Sequence, residues 1–213
     1  MPIPEKQSHE IHLTAKERIY NTLKKWIIDG TLLPEERLSD ANLAQYFSVS
    51  RTPVREALQM LSEQKLVYVI PSSGTFVSPI DTEDMKYIYQ MLGGIQAFSL
   101  ELGLPYVTED DIKTLVAANE SLLHNSKYKT AADVMEADSD FHRHLSMLSK
   151  NPYIVSTTDN LMVQAHRNEI RFFKANETGR SYEDHKKIIC AIKSHDLRKA
   201  QELVKLNWQM SVE

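Results

Sequence analysis

One cysteine, Cys190, stands in the whole chain of 213 residues. That scarcity excludes an internal disulfide and any zinc site built from several cysteines, and it fits a reducing compartment. Within HKKIICAIK the thiol lies in an apolar stretch, so a buried structural cysteine is expected rather than a nucleophile. Long hydrophobic runs are also missing. The chain has no stretch of about eighteen apolar residues, and its first residues, MPIPEKQSHEIHL, have no apolar signal core. Neither a membrane span nor secretion is expected, which leaves the cytoplasm. Positive charge is not in excess: 25 Lys and Arg face 29 Asp and Glu, for a net charge of −4. Residues 1–80 are balanced at nine against nine, so the acidic excess lies entirely in residues 81–213. Composition by itself therefore gives no sign of nucleic-acid binding. Catalytic signatures are absent too, with no G-x-G-x-x-G, no phosphate loop, no G-x-S-x-G and no H-E-x-x-H.

What is present is helical periodicity, and the expected fold is mainly α. In residues 14–29, TAKERIYNTLKKWIID, apolar Ile19, Leu23, Trp26 and Ile27 recur with a helical rhythm. Thr14 with Glu17 forms a capping box, and Gly30 is placed to end the helix. A short helix over about 40–47 buries Leu43, Ala44 and Phe47, and the SVS that follows breaks it. Ser50 caps a third helix over about 51–64, with Pro53 in the first turn and a stripe of Val54, Leu58 and Leu61. Two β-rich runs around Pro71 and Gly74 then predict a hairpin. Three helices and a hairpin wing make a winged helix-turn-helix over residues 1–78. From 79 to 213 the pattern predicts an all-α bundle of about six helices, over about 82–103, 109–126, 130–149, 152–175, 180–194 and 196–211.

Arg51 and Arg55 fall one turn apart on the face of the third helix away from its apolar stripe. They stand at the end of a recognition helix that enters the major groove. The guanidinium fork can donate two hydrogen bonds to guanine or grip a phosphate. Thr52 adds a hydroxyl and a methyl at the same tip, Arg37 can reach the flanking backbone, and Gly74 lets the wing main chain approach a groove. The alternative is an ordinary solvated pair, with Arg55 held by Glu56 or Glu63. Residues 30–77, and VSRTPVREAL above all, closely resemble the DNA-binding domain of the GntR family of bacterial transcription regulators. The resemblance implies that Arg37, Arg51, Thr52 and Arg55 contact operator DNA, with Ser73 and Gly74 of the wing near the minor groove. Glu35 departs from the family, which usually has Gly there.

In EADSDFHRHLSMLSKNPYI, Asp138 and His142 are four residues apart on one helical face and can share a metal ion. His185 lies beside the stripe of Ile188, Ile189 and Ile192, and three such groups meeting inside a bundle make a divalent-metal site. By spacing alone, an Asp and a His four apart are more often a surface pair. His144 projects about 200° from His142 and should not share its ion. The segments D-x-x-F-H and H-x-x-I-x-x-A-I-x-x-x-D resemble the FCD effector domain of the FadR-type subfamily. That resemblance implies an Asp and three His around a zinc or nickel ion, beneath a pocket for a small organic acid. Asp138, His142 and His185 match the first three ligands, and Asn207 stands where the family has the fourth, a His. His166 is a steric substitute without support from spacing. The Arg and Glu expected on the domain's first helix are Leu92 and Gln96 here. Gln96, Arg167 and Arg171 are the candidate effector contacts, the two arginines being equally readable as surface charges.

The expected function is a ligand-responsive regulator that binds an inverted-repeat operator as a homodimer, its DNA affinity set by a small metabolite in the C-terminal bundle. The alternatives are a metal-responsive regulator and, with no catalytic signature behind it, a metalloenzyme.

Overall fold

The computed structural model describes residues 13–128, 130–172 and 175–209, with side chains except at 82, 127–128, 131–132, 168–172 and 175–178. The chain divides into two compact units, Met1–Pro79 and Ile80–Glu213.

In the first unit, helix α1 (Ala15–Ile28) starts on a complete capping box. The Glu17 amide donates to Thr14 Oγ1, and the Thr14 amide donates to Glu17 Oε2 at 2.7 Å. Ile19, Leu23 and Ile27 are buried, and Gly30, at φ +79°, takes the left-handed turn beyond the helix. Helix α2 (Asp40–Tyr46) is capped by Ser39, whose hydroxyl accepts from the Asn42 amide. Only Ala44 of its three expected core residues is fully buried. Phe47 is half-buried because it packs with Tyr46 and a half-buried Trp26 in an aromatic trio, with ring centroids 5.0–6.0 Å apart. Helix α3 (Arg51–Glu63) buries Val54, Ala57, Leu58 and Leu61. Ser50 occupies its N-cap position, but its hydroxyl makes no capping hydrogen bond.

The wing has one strand more than the hairpin expected from the sequence. Strands β2 (Val67–Ile70) and β3 (Gly74–Val77) pair antiparallel, and β1 (Arg37–Leu38) adds to the other edge of β3, for the order β1-β3-β2. Two residues are too short for an alternating pattern to show. Glu35, just before β1, has φ +66° and donates its amide to the Val77 carbonyl at 2.9 Å. Its backbone is left-handed, which explains why glycine suits this position.

The second unit is all helical among the described residues: α4 (Thr82–Gly103), α5 (Glu109–Tyr128), α6 (Ala131–Met147), α7 (Pro152–Phe172), α8 (Ala175–Lys193) and α9 (Leu197–Gln209). Asp81, Thr108 and Thr130 supply N-terminal caps, the last two through reciprocal bonds with Asp111 and Asp133. Helix α4 packs on α6, α7 and α9, while α5 packs on α6 and α8. Tyr89, Leu92, Phe141, Leu145, Ile188 and Trp208 lie in the shared core. At the C-terminal end of α4, Gly103 rests on the Leu148 carbonyl so closely that a β-carbon there would collide with it. Among the described residues no helix is long and apolar enough to cross a membrane.

Cys190 corrects the sequence expectation: it is exposed. Residue 190 is about 200° around the helix from Ile188, so the thiol faces away from the buried Ile188, Ile189 and Ile192 stripe despite its apolar neighbours.

Candidate functional sites

In the first unit, the candidate DNA contacts stand on three elements. Arg51, Thr52 and Arg55 are exposed at the N-terminal end of α3, and Ser73 is exposed in the β2–β3 turn. Arg37 projects from β1 across Gly74 on the neighbouring strand. A β-carbon at Gly74 would lie 3.3 Å from the Arg37 Nε, and Gly74 itself has φ +127°. The glycine therefore serves the turn and the arginine together. Arg37, Asp40, Arg55, Gln59, Gly74 and Thr75 contribute to the walls of one open hollow between helices and wing. Arg55 pairs with neither Glu56 nor Glu63. Its Nε donates to Asp40 Oδ2 at 2.9 Å, and that hydrogen bond is the main cause holding the Asp40 carboxyl below its ordinary range. Sequence reading missed Asp40, which lies fifteen residues away and on another helix.

In the second unit, α6 and α8 bring Asp138, His142 and His185 together, with one ligand atom of each within 4.8 Å of the others. His142 Nε2 lies 3.6 Å from Asp138 Oδ2, and His185 Nε2 lies 3.7 Å from Asp138 Oδ1. Both imidazoles are buried. Burial is the main cause pushing His142 down to about 3, with the nearby His166 adding to it. Burial likewise holds His185 well below its ordinary value, His142 adding to that. Both rings are thus neutral near pH 7, the form a metal needs.

The tautomers follow from the partners. Asn119 on α5 donates from Nδ2 to the Tyr182 carbonyl, which fixes its amide orientation, so Oδ1, 3.0 Å from His185 Nδ1, accepts from an Nδ1–H. Gln96 Oε1 is 3.0 Å from His142 Nδ1. A neutral ring that donates from Nδ1 presents a lone pair at Nε2. Both Nε2 atoms are therefore aimed at the Asp138 carboxylate, and His185 Nε2 is buried without a hydrogen bond. Two buried lone pairs and a partly exposed carboxylate converging on one point suit a divalent cation, and amide oxygens on both Nδ1–H groups are the outer support that metal-bound histidines use. Asn119 was also missed in the sequence. Its signal was a polar residue inside the stripe of Ile112, Leu115 and Leu122.

The other candidates fall as follows. Asn207 is half-buried on α9, His144 lies on α6 outside the cluster, and His166 on α7 bonds to Ser139 Oγ, its Nε2 at 2.8 Å. Gln96 is fully buried and Arg167 is buried on α7, while the side chain of Arg171 falls outside the described residues.

The pattern of the "Bacterial regulatory proteins, gntR family" matches residues 15–77, and that of the FCD domain matches residues 87–208. The chain belongs to the GntR family and carries an FCD domain. The relatives that it matches are named as HTH-type and operon transcriptional regulators. It is 29% identical to the uncharacterized HTH-type transcriptional regulator YdhC of Bacillus subtilis, over 64% of this chain and 62% of that one. It is 28% identical to the gluconate operon transcriptional repressor of Bacillus subtilis, over 68% of this chain and 59% of that one. The matches thus span about three-fifths of these relatives' own length. A solved structure, a putative transcriptional regulator GntR from Rhodococcus sp. RHA1, covers 92% of this chain and 95% of its own with TM-score 0.79 at 24% identity, which shows the shared fold. The FCD span contains all three residues of the Asp138 cluster, and the GntR span contains Arg37, Arg51, Thr52, Arg55 and the wing.

Proposed function

We propose that the chain is a ligand-responsive regulator that binds an inverted-repeat operator as a homodimer in the cytoplasm. The observation that carries this reading is the exposed tip of α3, where Arg51, Thr52 and Arg55 stand beside a wing against which Arg37 is packed. Arg51 and Arg55 read base edges or phosphates in the major groove, and Ser73 and Gly74 approach the minor groove. Residues 1–78 form the DNA-binding domain in this reading, and 79–213 form the effector-binding and dimerisation domain.

Homodimerisation is supported by α4. Tyr87, Met91, Phe98 and Leu102 are exposed, Met91 at 55% and Phe98 at 48%, and with Gly94 they form one stripe along the helix. A second copy of α4 would cover it, and two winged helices related by a two-fold axis match a palindromic site.

In the bundle, Asp138, His142 and His185 hold a zinc or nickel ion, with Asn207 as the weak fourth position. A dication balanced by one carboxylate leaves net positive charge, which would anchor an anionic metabolite, with Arg167 and Arg171 as the second candidate contacts. A small organic acid fits that charge, and one relative is a repressor named for the gluconate operon. An effector that binds the DNA-competent and DNA-incompetent arrangements unequally shifts the population between them.

The test is binding of the full chain to DNA upstream of its own gene, against competitor DNA, over a range of salt. Saturable binding whose logarithm falls linearly with the logarithm of salt is expected, and a small acid should change it. Equal affinity for target and competitor at every salt would sink the reading. The convergence of acceptors around Asp138 favours one second reading, in which the ion itself is the effector. In that case chelation alone switches DNA binding, with no acid added.

A further inference from the structure

The two histidines of the cluster are held in different ways. The support of His185 is local to α5 and α8, since Asn119 takes its orientation from the Tyr182 carbonyl. The support of His142 comes from a third helix. An indole N–H can only donate, and Trp208 Nε1 on α9 lies 2.8 Å from Gln96 Oε1 on α4. The amide oxygen of Gln96 must therefore face Trp208. The other end agrees: Gln96 Nε2 donates to the His142 carbonyl at 3.1 Å, and a carbonyl can only accept. The same oxygen faces His142 Nδ1 at 3.0 Å. One amide oxygen thus has two donors, the indole of Trp208 and the imidazole of His142, and the whole relay is buried.

We propose that Gln96 is a positioning residue through which Trp208 of α9 locks His142 in the Nδ1–H tautomer, aiming its Nε2 lone pair at Asp138. This deepens the metal reading of the same cluster, but the tautomer itself requires no metal. It also gives α9 a role that Asn207 leaves open. Where the family resemblance puts a ligating histidine, this chain has an amide, and the next residue, Trp208, reaches the cluster through Gln96 instead. The Trp208 ring lies with its centroid 4.4 Å from that of His142 and stacks on Tyr89 at 5.9 Å, so a change at His142 is felt on α9 by contact as well. Glutamate at 96 would accept from the same two donors, but it would lose the bond to the His142 carbonyl and add a second negative charge beside the cluster. The amide keeps Asp138 as the one carboxylate in the group.

The experiment uses the chelator-treated full chain labelled with nitrogen-15, read by ring-nitrogen NMR, and then titrated with zinc ion alone. In wild type, His142 is expected as a single Nδ1–H tautomer. In Gln96→Met, which keeps the length and removes the acceptor, that tautomer should give way to a mixture or to Nε2–H, and Gln96→Glu should restore it. With zinc, the indole signal of Trp208 should move while that of Trp26, the second of the two tryptophans, stays. Gln96→Met should weaken zinc binding by roughly 10–100-fold. Wild-type His142 found as Nε2–H overturns the proposal even if Gln96→Met does not fold. So does a Gln96→Met protein that keeps the pure Nδ1–H form, or one that binds zinc like wild type. If wild type holds the tautomer yet takes up no zinc, the relay stands and the metal reading falls.

Discussion

The two units place their chemistry on opposite sides of the solvent boundary. In the winged unit the candidate residues are exposed arginines, and the buried groups are apolar side chains that only hold α3 and the wing in place. In the bundle, polar Gln96, Asn119, His142 and His185 sit inside the core, with Asp138 partly exposed beside them. A surface that reads DNA pays little desolvation when unbound and gains from long-range charge. A buried cluster needs every partner satisfied and selects a small ligand by fit and charge. The first design tolerates change around it, and the second does not.

That contrast can be broken at several points. The largest effect is expected from Arg51→Ala with Arg55→Ala, each costing about 1–3 kcal/mol of operator binding. Fluorescence anisotropy should show the loss while zinc uptake by the bundle is unchanged, and altered uptake would deny the separation. Gly103→Ala should destabilise the bundle by about 1–3 kcal/mol, because the Leu148 carbonyl is backbone and cannot turn aside. Thermal unfolding measures it, and a neutral result would mean α4 and α6 are free to part.

Mild acid, between pH 7 and 6, should act on one unit only. His142 has its folded value depressed to about 3 by burial, and His185 is depressed as well. Their stabilising contribution is whole above the unfolded value of about 6.5 and is lost as pH falls below it, because the unfolded chain then binds the protons. Between pH 7 and 6 the chelator-treated bundle should lose stability, because the unfolded chain takes up protons that the buried rings refuse. Hydrogen exchange, corrected for intrinsic rates, would show this in α6 and α8. The winged unit has no histidine among its described residues and should hold its protection. The smallest effect is Glu35→Gly. It relieves the left-handed backbone and should stabilise the winged unit by under about 1 kcal/mol, which chemical denaturation can resolve.

Much of this was legible because local rules and the fold agree. Thr14 with Glu17 and the stripe of Val54, Leu58 and Leu61 declare themselves by spacing, whereas Asp138 one turn from His142 reads by spacing alone more often as a surface pair. His185 was suggested only by its place beside the Ile188, Ile189 and Ile192 stripe and by the family resemblance, since no spacing rule links residues on separate helices. The partners of the histidines stayed hidden for the same reason. Gln96 and Asn119 are 46 and 66 residues from the rings they support. β1 is invisible because its two residues are extended only by pairing with β3. Cys190 misled because apolar neighbours in sequence are spread around a helix, and the thiol falls on the outer face.

Gly103 has a mechanical consequence. Its contact with Leu148 pins one end of α4, a rod of roughly 32 Å at about 1.5 Å per residue. Gln96 grips His142 only about 10 Å from that pin, while the far end at Thr82 continues into the winged unit's chain. Met85 and Tyr89, toward the other end, are buried in the same core, so α4 is held along its length and a shift at Gln96 strains that packing instead of turning the helix.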